Sequence, residues 1–247
     1  MRWSDDAIVL SARRHGESGL LVHLLTAAHG RHAGLVRGGQ KPRGRALFQI
    51  GNRLAVVWSA RLTEHLGTIQ GELAEAHAAR LIDAPARLGA LAAAAALADA
   101  ALPEREPHPP AFARLAALCD ALGADRGWMP LYAEWELTLL AELGFGLDLA
   151  RCAVTGTAQN LAYVSPKSGR AVSEEAAEPY RARLLRLPPF LREGANAAPS
   201  LGDIEDALCL TGYFFEHRVF APHDRKIPAA RTRFLDMLRQ FATISSG

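Results

Sequence analysis

Cysteine is almost absent from this 247-residue chain, and its three copies, Cys119, Cys152 and Cys209, lie far apart with no C-x-x-C pair. That scarcity argues against a disulfide framework and an intact zinc site, and it fits a reducing compartment. Long apolar runs are missing too. The longest, around Leu91 to Leu102, is dominated by alanine and too short to span a bilayer. The opening Met1-Arg2-Trp3-Ser4-Asp5-Asp6 carries carboxylates where an export signal needs its apolar core, so a soluble cytoplasmic protein is expected.

Catalytic signatures are equally scarce. No H-E-x-x-H or G-x-S-x-G occurs, which removes the metalloprotease and hydrolase templates. Residues 34–41 approach a phosphate-binding P-loop, but Gln40 stands where that motif needs lysine, and Pro42 removes an amide at the expected helix start. Gly144-Phe145-Gly146 has the first two glycines of a dinucleotide fingerprint, yet it follows a helical pattern and Leu149 fills the third position, so it reads as a helix stop. The nine histidines form no recognised ligand spacing; His29 and His32 border a turn, where they could add conditional positive charge. No enzyme is expected.

What the chain does have is segregated charge. Residues 1–60 hold nine Arg or Lys against Asp5, Asp6 and Glu17, whereas residues 61–163 hold seven against thirteen, and the whole chain is only +2. Four of those cations, Arg37, Lys41, Arg43 and Arg45, fall within the nine residues Arg37-Gly38-Gly39-Gln40-Lys41-Pro42-Arg43-Gly44-Arg45 with no carboxylate among them. The three glycines and the proline exclude a regular helix there and predict a basic loop between strands. Opposite a polyanion each such cation displaces a condensed counterion, so nucleic acid is the expected partner. Arg13, Arg14 and Arg31 are supporting candidates. A second group, Arg225, Lys226, Arg231 and Arg233, brackets the start of the last helix and could hold phosphate or a carboxylate. The acidic middle is expected to face away from DNA or toward a protein partner.

Hydrophobic patterning predicts five short strands, at 7–11, 20–26, 31–36, 54–59 and 66–70, separated by Gly- and Ser-containing turns. Five such strands suit a small closed barrel over residues 1–78. Alanine-rich sequence then predicts a mainly helical domain over 79–247. Pro130 opens its clearest helix, with Leu131, Trp135 and Leu139 on one face. Within 148–176 a hairpin joins 161–164 to 170–172. Ser200 and Asp203 match a capping box, and helices carrying Ile204, Leu208 and Phe215, then Phe234, Leu238 and Phe241, follow.

These features together resemble the RecO family of bacterial recombination mediators. The resemblance rests on Ala7-Ile8-Val9-Leu10, Gly16-Glu17, Leu24-Leu25-Thr26, His29-Gly30 and Arg37-Gly38. More specific are Trp135-Glu136-Leu137-Thr138-Leu139-Leu140-Ala141-Glu142-Leu143-Gly144-Phe145, Asp148-Leu149 and Cys152. It implies an α+β protein, an OB-fold barrel followed by a helical domain. It also implies binding of single- and double-stranded DNA, annealing of complementary strands, and no catalysis. The implied partners are RecR, the C-terminal tail of the single-stranded DNA-binding protein, RecA indirectly, and RecF as a further candidate, all in a nucleoid-associated setting. Zinc-binding relatives carry two C-x-x-C pairs. Here Cys152 and Thr155 stand in the first and Ser173 and Ala176 in the second, so 148–176 is expected to be a metal-free, zinc-finger-like insertion with no cofactor. An RNA-binding or translation-associated barrel is the alternative, because loop electrostatics do not separate DNA from RNA.

Overall fold

The computed structural model describes residues 1–62, 64–125, 127–192 and 198–245, of which 241–245 are described by backbone alone. The chain forms two compact units, Met1–Arg126 with Pro228–Arg231, and Gly127–Ile227 with Thr232–Gly247.

In the first unit, β1 (Arg2–His15), β2 (Gly19–Thr26), β3 (Gly30–Val36), β4 (Arg53–Ser59) and β5 (Thr68–Glu75) close into a barrel in the order β1-β2-β3-β5-β4. Antiparallel pairing links all neighbours except β3 and β5, which meet in parallel at Leu35 and Thr68. Alternation drives the closure: Leu20, Val22 and Leu24 point inward to meet Val9, Leu54, Val56, Trp58 and Ile69 in one core. β1 starts five residues earlier than its apolar run, because residues 2–6 still find ladder partners along β4. A bulge between Val9 and Ser11 bends this long strand. Its other face, with Ile8 and Leu10, is buried too. Helix α3 (Pro85–Ala101) packs against β1 and β2, which explains why β2 lacks clean polar alternation. α2 (His77–Arg80) and α4 (Pro109–Ala124) complete this unit.

One expectation fails at the basic stretch. Residues Pro42–Leu47 form a short helix, α1, despite the glycines and proline around them. Pro42 occupies the first turn, where its fixed φ suits a helix and its missing N–H costs nothing. Gly44 is needed because a Cβ there would lie 2.5 Å from the carbonyl oxygen of Gly39. Arg45 N–H donates to Lys41 O at 3.0 Å, and Phe48, buried in the barrel core, anchors the helix's far end.

The second unit holds α5 (Trp128–Glu142), a three-stranded sheet, the short α6 (Glu174–Ala177), α7 (Leu201–Phe214) and most of α8 (Ala229–Ser245). Trp135, Leu139 and Leu140 of α5 are buried, and Glu136, equally buried, accepts a hydrogen bond from the Thr211 hydroxyl of α7. β6 (Leu161–Val164) and β7 (Ala171–Ser173) form the expected hairpin, and β8 (Leu185–Arg186), which no alternation announces, pairs with β6. The capping box is present, with Asp203 N–H donating to Ser200 Oγ and Ser200 N–H donating to Asp203 Oδ2. Phe215 is buried in a π-helical continuation of α7. Phe234 and Leu238 are buried on α8; the Phe241 side chain lies outside the described residues. No described helix is long and apolar enough to cross a membrane.

Candidate nucleic-acid interface

The turn after β3 and helix α1 carry the cations to one side of a groove of about 530 Å³. Arg37, Lys41 and Arg43 line it with Gly38, Gly39 and Gly44, opposite Thr68, Gln70 and Gly71 of β5. All three cations are exposed, as is Arg45, which stands on α1 outside the lining. Among the described residues none of the four pairs with a carboxylate, so their charge is available to a ligand. The glycines let an incoming group reach the backbone without crossing side chains.

Gln40, which reads in the sequence only as a failed P-loop lysine, fixes this turn. Its side-chain amide donates to Gly16 O and Gly19 O, both at 3.0 Å, and its backbone N–H donates to Ser18 O at 3.0 Å. The β1–β2 turn is thereby tied to the cationic turn. Arg13 and Arg14, exposed at the end of β1, adjoin this tied turn. Thr68 and Gln70 carry no local signal of their groove position, because only barrel closure brings β5 beside β3.

Arg31 is placed differently. Its Nε donates to Leu102 O at 2.8 Å, and its NH1 lies 3.3 Å from Asp99 Oδ1 and its NH2 3.5 Å from Glu104 Oε1. It therefore clamps α3 to the barrel. His32 is buried, and burial lowers its pKa, so it takes up a proton less readily than an exposed imidazole. His29 Nδ1 lies 2.7 Å from Asp5 Oδ2. Within the second cationic group Arg231 is buried, while Arg225, Lys226 and Arg233 are exposed; the Arg225 guanidinium stands 5.5 Å over the Phe220 ring. The acidic middle does not simply face away, since Asp99 and Glu75 meet the barrel's own Arg31 and Arg53.

The zinc-finger-like insertion brings Cys152 and Ser173 together. Cys152 Sγ accepts from Ser173 N at 3.3 Å and Ser173 Oγ at 3.5 Å. Burial pushes this thiol up, but hydrogen bonds from Ser173 and Thr155 outweigh it and bring it down to about 6. Ala176 offers no ligand atom, so one thiol and two hydroxyls remain, a donor set that does not fit structural zinc. A different cluster joins Glu75, His77 and Asp120, with His77 Nε2 3.6 Å from each carboxylate. Arg53 and Arg80 also approach Glu75, at 3.5 and 3.9 Å, and supply its countercharge.

Fold and groove thus define a class: a closed five-stranded barrel with an exposed cationic groove, followed by a helical part. The chain belongs to the recombination protein O family, since residues 1–77 match Recombination protein O N terminal and residues 83–226 match Recombination protein O C terminal. It is 54% identical over 247 residues to a protein named DNA repair protein RecO from Rhodospirillum centenum, covering 99% of this chain and 98% of the relative. Similarly named proteins of Rhodospirillum rubrum and Phenylobacterium zucineum are 49% identical over 247 residues and 47% over 240. The first match covers 98% of both chains, the second 97% of this chain and 98% of the relative.

Proposed function

We propose that this chain is a DNA repair protein acting as a recombination mediator. In this reading it binds single- and double-stranded DNA, anneals complementary strands and, with RecR, helps load RecA on DNA coated by single-stranded DNA-binding protein. The observation that carries the reading is the groove lined by Arg37, Lys41 and Arg43, none of which is paired with a carboxylate among the described residues. Cations on a glycine-jointed turn neutralise phosphates whatever the base sequence, which is what a mediator working along arbitrary DNA needs. Two strands held against one cationic surface repel each other less, which favours pairing. The work is binding rather than bond-making, and the insertion acts without metal. RecF and the tail of the single-stranded DNA-binding protein are further partners in this reading, and the setting is cytoplasmic and nucleoid-associated.

Anisotropy of a labelled single strand across a salt series tests it, with Arg37, Lys41 and Arg43 all changed to Ala. Affinity should fall, and the slope of log affinity against log salt should shrink by up to about 2, from roughly 0.7 for each lost single-strand phosphate contact. An unchanged slope would remove the groove from DNA binding. Matched RNA as competitor separates the alternative, since equal competition would favour an RNA-binding barrel.

A further inference from the structure

A second cavity, of about 570 Å³, opens on the first unit, its lining including Trp3, His29, His32, Trp58, Arg2 and Arg105. Its rings are ordered. Trp3 stacks on His29 with centroids 4.0 Å apart and planes 7° from parallel, and lies nearly parallel to Trp58 at 5.4 Å, while His32 meets Trp3 edge-on at 5.0 Å. Each neighbour is pinned. Trp58 Nε1 donates toward Ala33 O and Leu66 O at 3.2 and 3.3 Å, His32 Nδ1 lies 2.8 Å from His29 O, and His29 Nδ1 lies 2.7 Å from Asp5 Oδ2. Asp5 is itself held by the amides of Asp6 and Ala28. The result is a preformed stack whose outer plane, His29, keeps 34% of its side chain exposed.

The connection between α3 and α4 brings the charge. It passes so close to β3 that a Cβ on Gly30 would lie 1.9 Å from Glu106 O. At Arg105 the backbone adopts φ +64°, a left-handed conformation that L side chains rarely take, held by its N–H donating to Arg31 O at 2.8 Å. That conformation sets Arg105 in the cavity wall, with Arg2 also part of it.

We propose that this cavity receives an unstacked base of single-stranded DNA, stacked on the outer face of His29, which Trp3 backs, with Arg2 and Arg105 on the flanking phosphates. The inference rests on the nucleic-acid reading above and adds a subsite to it. Parallel ring planes beside two guanidinium groups match a nucleotide in both of its parts, the flat base and the phosphate. A duplex keeps its bases stacked and paired and cannot fill the cavity, so the subsite favours single strands.

The test uses an oligothymidylate bearing one 2-aminopurine, whose fluorescence is quenched on stacking, together with an unlabelled-competitor affinity measurement. Trp3→Ala and His29→Ala should each lose quenching and weaken single-strand binding by roughly 5- to 150-fold. The salt slope should stay unchanged, because stacking releases no counterions, and duplex affinity should also stay unchanged. Trp3→Phe, which keeps a ring and guards against a folding artefact, should retain quenching. Full quenching and affinity in both alanine variants, or equal losses on single strands and duplex, would overturn the proposal. The groove reading fails separately, by an unchanged salt slope in the Arg37, Lys41 and Arg43 variant, so the two failures are distinguishable.

Discussion

Changing Arg31 to Ala separates two roles for one cation. Sequence alone places Arg31 among the DNA-supporting charges, whereas the fold commits it to α3. Its side chain is 14% exposed and its guanidinium meets Leu102 O, Asp99 and Glu104. Asp99, 13% exposed, also accepts from Ser11 Oγ at 2.9 Å and lies 2.6 Å from His23 Nδ1. Removing one partner of a buried ion pair costs about 3–5 kcal/mol. Asp99 keeps two partners, so about 2–3 kcal/mol is expected, or roughly 5–10 °C in Tm for a chain of this size. Burial raises the Asp99 pKa, but the His23 contact, the Ser11 hydrogen bond and Arg31 outweigh it and leave the pKa lowered. The group's stabilisation is therefore present above the unfolded carboxylate range and is lost as pH falls through the folded value. Thermal denaturation of Arg31→Ala, Asp99→Asn and the double variant should give a coupling of about 1 kcal/mol or more. The DNA salt slope should be untouched in Arg31→Ala. An unchanged Tm with a slope reduced by about 0.7 would show that Arg31 holds phosphate and would refute the clamp.

His77 is buried, and burial lowers its pKa, with Arg80 and Arg53 acting in the same sense and Glu75 and Asp120 against it. As pH falls through the unfolded value of about 6.5, the unfolded chain takes up this proton first and stability drops. His77→Gln should narrow the gap between Tm at pH 7 and at pH 5, and an unaltered gap would show that His77 does not titrate in this way. The Cys152 thiol, down at about 6, makes the opposite end of the pH range informative. Its contribution grows as pH rises from 6 toward the unfolded thiol range, so Cys152→Ala should cost more Tm at pH 8 than at pH 5. A chelator should leave the Tm of the parent unchanged, and a large drop would mean that metal holds the insertion.

The barrel was legible because its strands are short, apolar and bounded by turn residues, and the same local logic exposed the capping box at Ser200 and the core face of α5 around Trp135. Helix α1 was not legible. Counting glycines and a proline misses that Pro42 sits where a helix tolerates it and that Gly44 is required by the nearby Gly39 backbone. Strand β8 is two residues long and exists only because β6 offers an edge. The Arg31 clamp depends on Asp99, 68 residues away, and no local pattern carries a contact of that separation. Trp3 likewise lies in a stretch with no apolar alternation, and only β4, pairing Trp58 opposite Trp3, makes it part of an ordered stack.

Those long-range contacts explain why the N-terminal charge excess cannot be read as a DNA footprint by counting. Arg53 donates to Asp6 at 2.8 Å and faces Glu75, and Arg31 is met by Asp99 and Glu104, so two barrel cations are consumed in holding the first unit together. Three of those carboxylates come from the acidic middle of the sequence, whose role in this unit is internal neutralisation. What is left over is Arg37, Lys41, Arg43 and Arg45, with Arg13 and Arg14 beside the tied turn and Arg2 in the wall of the second cavity. Each is exposed, and among the described residues none is paired with a carboxylate. The cationic groove is thus a remainder after internal pairing. Its charge should not respond to substitutions in those internal pairs: Asp99→Asn removes one of the two carboxylates that meet Arg31 without adding a cation to the groove, because Arg31 does not line it.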